Sequence, residues 1–151
     1  MYLKRLKLHN FKCFEDLDME FHDNLTVIVG SNGAGKTTIL EGAAIAVSSL
    51  FVKMDGLTAR KIDRTQAHLK SYSVGSTKDV QEQYPVVVSA IAKDNQFLSG
   101  EDIEWTRSLS SSTGQTLFGD AKDITSLGVE LQQKVRNGDT KILLPLFAYY
   151  G

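Results

Sequence analysis

Polar and apolar positions alternate loosely over residues 2–11, YLKRLKLHNF, and more regularly over residues 17–21, LDMEF. A period of two is the mark of a half-buried strand, so both stretches are predicted strands. The pattern changes at residues 25–29, LTVIV, a continuous apolar run that is mostly β-branched. Such a run predicts a strand buried on both faces, as in the middle of a parallel sheet. HDN, residues 22–24, reads as a turn, which gives a hairpin whose second strand feeds straight into a glycine-rich loop at Gly30. From Lys36 to about residue 53 the period lengthens, with Ile39, Leu40, Ala43, Ala44, Val47, Leu50 and Phe51 three or four apart. That spacing predicts a helix. Gly42, Ala43, Ala44 and Ala46 keep it thin, as close packing on a sheet requires.

Periodicity fades over residues 55–84, where SVGST (73–77) reads as loop. PVVVSAIAK (85–93) and EDIEWTRSL (101–109) are strand-like and separated by residues 94–100, so a hairpin is predicted. SSSTGQT (110–116) is a connection, and 124–135 is a helix candidate. ILLPLFAYY (142–150) reads as another buried strand, with Pro145 pointing to a sheet edge or a bulge. No internal repeat is visible. The expected fold is α/β: a central sheet, a helix leaving the glycine-rich loop, and an antiparallel β-lobe. A buried strand that stops at Gly151 is the expected mark of an N-terminal fragment, a single lobe over residues 1–151 of something longer.

Composition changes this picture little. The chain has 151 residues, 42% hydrophobic and 23% charged, as in one globular domain. Its net charge of −1 provides no global field toward nucleic acid or anionic membrane. Lys4, Arg5 and Lys7 concentrate positive charge on the first strand, and a solvated face is the expected reading. Cys13 is the only cysteine, so no internal disulfide forms, which fits a reducing cytoplasm. The apolar run over 43–52 is far short of the roughly 20 residues a membrane span needs, and no membrane partner is expected.

The chemistry is in GSNGAGKTT, residues 30–38. Gly30, Ser31, Asn32, Gly33, Ala34, Gly35, Lys36 and Thr37 satisfy the spacing G-x-x-x-x-G-K-T. A loop that wraps a polyphosphate must point consecutive N–H groups inward, through backbone angles that a β-carbon resists. The helix that follows aims its unpaired first-turn amides and its dipole at the same anion. Lys36 supplies a point charge for the β- and γ-phosphates, the Thr37 hydroxyl is the expected Mg²⁺ ligand, and Thr38 adds a hydroxyl near the α-phosphate. The bland alternative is a glycine turn that caps a helix beside a chance lysine. An apolar run just before the loop and a helix just after it favour phosphate binding. ATP and Mg²⁺ are the cofactors expected. No N-K-x-D motif for reading guanine occurs.

The first 50 residues resemble the N-terminal ATP-binding segment of RecF/SMC/ABC-like AAA ATPases. The resemblance is carried by Asn10, Phe11 and Lys12, by Phe21, by residues 30–37, and by Ile39, Leu40 and Glu41. EDIEWTRSL, with Arg107, looks like the antiparallel lobe strand of that family, and ILLPLFAYYG like the strand ending the lobe in related ATPases, some linked to anti-phage defence. The resemblance implies that Asn32 lies near the γ-phosphate and that Lys12 is a basic residue close to the nucleotide. Phe11 and Phe21 are expected in the core. It also implies a full-length ATPase that dimerises around ATP, with the C-terminal remainder of the same protein as partner and DNA as a further one. A role in DNA repair, chromosome maintenance or phage defence is implied too. No strand ending in Asp-Glu, no signature loop and no Q-loop glutamine is found, so no residue is assigned a catalytic role and the isolated chain is expected to bind ATP without hydrolysing it. An ABC transporter-type fragment and a nucleotide-sensing module without hydrolysis are the alternatives.

Overall fold

The computed structural model describes residues 1–93 and 101–150. Its frame is a four-stranded antiparallel sheet in the order β2-β1-β5-β6, with β1 Tyr2–Phe11, β2 Phe14–Glu20, β5 Val86–Lys93 and β6 Asp102–Leu109. The smaller pair, β3 Leu69–Val74 and β4 Thr77–Glu82, forms a separate two-stranded hairpin. Helix α1, Lys36–Val47, continues as a 3₁₀ turn over Ser48–Phe51, and α2 spans Lys122–Arg136.

Alternation along β5 and β6 puts one row of side chains in the core. Val86, Val88, Ala90 and Ala92 meet Ile103, Trp105, Arg107 and Leu109 there, all buried. Leu6 and Leu8 of β1 extend this row, and Ile39, Ile45 and Ala46 of α1 with Ile124, Leu127 and Leu131 of α2 cover it. Gly42 explains the close approach of α1: a β-carbon there would sit 2.7 Å from Leu8 Cδ2. Trp105 fixes the layer by donating its indole N–H to the Ala46 carbonyl at 3.0 Å.

The other sheet face is charged and neutralises itself. Arg5 donates twice to Asp18 at 2.6 Å, Lys4 donates to Asp102 at 2.6 Å, and His9 lies 2.7 Å from Asp16. The Arg5 hydrogen bonds hold the Asp18 carboxyl below the usual carboxylate range. Lys4 and Arg5 are therefore paired and Lys7 is exposed, so the cations of β1 make a solvated face, as the sequence suggests.

Most predicted elements are present: β1, β2, the β5–β6 hairpin, α1 and α2. The link between β5 and β6 expected at residues 94–100 lies outside the described residues. Three readings are corrected. Residues 25–29 form no strand, and Leu25, Val27 and Val29 are exposed, so no hairpin joins them to β2. Only Ile28 packs against the core from this run. Residues 142–150 likewise form no strand; Leu143, Leu144 and Leu146 are exposed while Ile142 and Phe147 reach the core. A strand exists only where a neighbour takes its backbone hydrogen bonds, and among the described residues neither run is paired in a sheet. The third correction is β3–β4, where the loop expected at 73–77 is the tip of a hairpin turning at Gly75, φ 64°. No helix among the described residues is long and apolar enough to cross a membrane.

Candidate functional site

The loop at residues 30–35 leads directly into α1, and its shape follows from its glycines. Gly33 has φ 82° and Gly35 φ 88°, both in the left-handed region that a side chain disfavours. Gly35 occupies the N-cap position, where no side chain caps the helix and the first turn holds no acid. The first amides of α1 thus have no partner from a capping side chain and open toward the loop. That is the arrangement an anion completes.

A pocket of about 470 Å³ lies at this point, lined by Lys12, Cys13, Asn32, Gly33, Gly35, Lys36, Thr37 and Thr38. Of the residues singled out from sequence, Lys12, Asn32, Gly33, Gly35, Lys36, Thr37 and Thr38 are brought together here. Gly30, Ser31 and Ala34 belong to the same loop but do not line the pocket. Lys36 Nζ donates to the Gly30 and Ser31 carbonyls at 2.8 and 2.7 Å, and Ala34 N–H donates to Ser31 at 3.2 Å. The ammonium is thereby folded over the mouth of its own loop. Both acceptors are neutral carbonyls, so among the described residues the Lys36 ammonium has no anionic partner.

The opposite wall is the β1–β2 turn. Asn10 and Lys12 both have φ 50°, uncommon for residues other than glycine, and the surroundings hold them there. Lys12 N–H donates to Gln66 O at 2.7 Å, His68 Nδ1 bonds the Lys12 carbonyl at 2.8 Å, and His68 N–H donates to Asn10 O at 2.9 Å. The Lys12 side chain pairs with Glu41 on α1. Phe11 is fully buried and Phe21 packs partly against the core, as expected.

Three residues beside the pocket were not singled out for it in the sequence. Cys13 lines it, with Sγ 3.7 Å from Thr38 Oγ1. Phe14 packs so closely that a β-carbon on Gly35 would fall 2.5 Å from its Cζ. Glu41 anchors Lys12. The last carried a usable signal, because Thr38 and Glu41 are three apart on a helix and share a face. The first two depend on the β1–β2 turn folding back over the loop, which no local pattern encodes.

A second groove, of about 450 Å³, lies between α1 and residues 146–149. Its walls are mostly apolar, and its one cation, Arg60, stacks on Tyr149 at 4.5 Å. It offers nothing comparable to the phosphate chemistry of the loop.

Known proteins resemble this chain in sequence and in fold. Residues 5–151 match the AAA domain family (AAA_23). Over 102 residues the chain is 31% identical to the DNA double-strand break repair Rad50 ATPase of Archaeoglobus fulgidus, which covers 67% of this chain and 11% of that protein. Over 41 residues it is 54% identical to the DNA replication and repair protein RecF of Clostridium kluyveri, covering 27% of this chain and 11% of the relative. Over 49 residues it is 49% identical to the OLD nuclease of Thermus scotoductus, covering 32% of this chain and 9% of the relative. The chain thus spans about a tenth of the length of these curated relatives. Its fold matches a solved structure described under ATP-driven dimerization and DNA stimulated activation of SMC ATPases, with a TM-score of 0.58 at 17% identity, covering 95% of this chain and 87% of the other. The chain belongs to the AAA domain family, and its architecture is that of a RecF/SMC-like P-loop ATPase lobe.

Proposed function

We propose that this chain binds Mg-ATP at the loop of residues 30–38, as the ATP-binding lobe of a RecF/SMC-like ATPase working in DNA repair or chromosome maintenance. The observation that carries this reading is the meeting of two left-handed glycines, an uncapped helix start, Lys36 and Thr37 around one pocket. The donor set fits the ligand. Amides and Lys36 hold the phosphates, Asn32 lies beside the terminal one, and the exposed Thr37 hydroxyl is the protein ligand for Mg²⁺. Lys12 faces the same volume from across the pocket. Dimerisation around ATP and contact with DNA belong to the whole protein, supported by what the SMC and Rad50 relatives are named for. No residue of this chain is assigned the hydrolytic step.

The test is Lys36→Ala, compared with the unaltered protein by calorimetric titration of Mg-ATP. Loss of the ammonium removes a charge-assisted contact and is expected to weaken binding at least about tenfold. The fold persists, because among the described residues the Lys36 ammonium bonds only to loop carbonyls. Unchanged affinity with an unchanged circular-dichroism spectrum contradicts the role given to Lys36.

A further inference from the structure

We propose that Lys12 and Glu41 form an ionic latch beside the phosphate pocket, in which Glu41 restrains nucleotide affinity by holding a cation that the phosphates would otherwise take. The proposal rests on the Mg-ATP reading above and adds a residue that acts through another.

Lys12 is among the residues that line the pocket and Glu41 is not, and the two side chains are joined in an ion pair. Both side chains are partly buried, at 33% and 22% exposure, where a contact pair interacts more strongly than on open surface. The backbone beneath Lys12 is held by Gln66 and His68, and Asn10 Nδ2 donates to Pro85 O at 3.2 Å. The turn therefore cannot carry Lys12 toward a ligand, and only its side chain can swing.

Two cations line the pocket. Among the described residues Lys36 is held by carbonyl dipoles alone, while the charge of Lys12 is cancelled by a carboxylate. A polyphosphate brings several negative charges, and Glu41 opposes it by keeping Lys12 from pairing with it. Neutralising Glu41 frees a pre-placed cation.

The latch predicts a coupling that independent contacts would not give. Mg-ATP affinity is measured by calorimetry for the unaltered protein, Lys12→Gln, Glu41→Gln and the double variant, with Lys36→Ala as the control for the site. Lys12→Gln is expected to weaken binding only about twofold, because Lys12 is already committed to Glu41, whereas Glu41→Gln tightens it about fivefold. The double variant returns to the level of Lys12→Gln, so removal of Lys12 costs about tenfold once Glu41 is neutral. Circular dichroism confirms that each variant is folded.

Weaker or unchanged binding by Glu41→Gln overturns the latch, because Glu41 would then present Lys12 or not affect it. Simple addition of the two single effects overturns it as well. Absence of Mg-ATP binding in the unaltered protein, with Lys36→Ala indistinguishable, overturns the nucleotide reading and the latch with it. Normal binding that Lys36→Ala weakens while Glu41→Gln leaves it unchanged overturns the latch alone.

Discussion

Arg107→Ala is expected to destabilise the fold by about 3–5 kcal/mol, through loss of a large buried side chain and of its hydrogen bonds. Arg107 has no solvent exposure. Its Nη1 donates to Ile45 O at 2.7 Å and to Ser48 Oγ at 3.1 Å, its Nη2 donates to Arg60 O, and its guanidinium stacks 4.6 Å from the Phe118 ring. One side chain of β6 thus joins the end of α1, the following connection and the approach to α2. No carboxylate among the described residues pairs with it, and burial pushes its pKa down to about 10, so it remains charged at neutral pH. Two effects oppose each other in any replacement. Removing a desolvated charge is favourable, whereas leaving the Arg60 carbonyl unpaired and opening a cavity is not. Alanine suffers both penalties. Arg107→Met fills most of the volume and is expected to cost about 2 kcal/mol or less. Equilibrium urea unfolding of the two variants separates these terms. An alanine variant within about 1 kcal/mol of the parent means that Arg107 is not the brace described.

Gly35→Ala is expected to reduce Mg-ATP affinity by about a hundredfold or more. The residue sits at φ 88°, where a β-carbon costs about 1–2 kcal/mol. That β-carbon would also lie 2.5 Å from Phe14 Cζ and 2.8 Å from Cys13 Sγ, on the packed side of the loop. Those side-chain ends or the loop must therefore move, and together with the strained φ this takes the loop amides from the positions from which they reach a phosphate. Losing two such charge-assisted bonds, at about 1.5–3 kcal/mol each, yields the stated factor. Gly33→Ala is the internal comparison. It has a similar φ of 82° but nothing within 4 Å of the added carbon, so it bears strain alone and is expected to lose less. Calorimetry on both variants checks the order. Gly35→Ala binding within threefold of the parent, or Gly33→Ala binding more weakly than Gly35→Ala, contradicts the packing account.

The site was legible because its chemistry is local. Nine consecutive residues carry the glycines, the cation and the hydroxyls, and the helix start that orients them is adjacent in sequence. The alternating patterns of β1, β2, β5 and β6 and the helical spacing of α1 were equally local. Residues 25–29 and 142–150 were misread for one physical reason. A β-branched apolar run records a preference for burial, but pairing depends on which neighbours the topology supplies, and local pattern does not encode that. The hairpin β3–β4 was missed from the opposite direction, since its strands are rich in Lys, Ser, Asp and Gln and lack an apolar face. Cys13 and Phe14 belong to contacts more than 20 residues apart, beyond what spacing can show.

The measurement closest to the central claim is a Mg-ATP titration followed by amide ¹H–¹⁵N chemical shifts of the intact chain. Binding in the loop predicts the largest shifts at Gly33, Gly35, Lys36, Thr37 and Thr38, smaller ones at Lys12 and Cys13, and none at Lys7 or Asp18 on the charged sheet face. Shifts centred on the sheet face, or on Arg60 and Tyr149 in the second groove, with the loop amides unmoved, would contradict it.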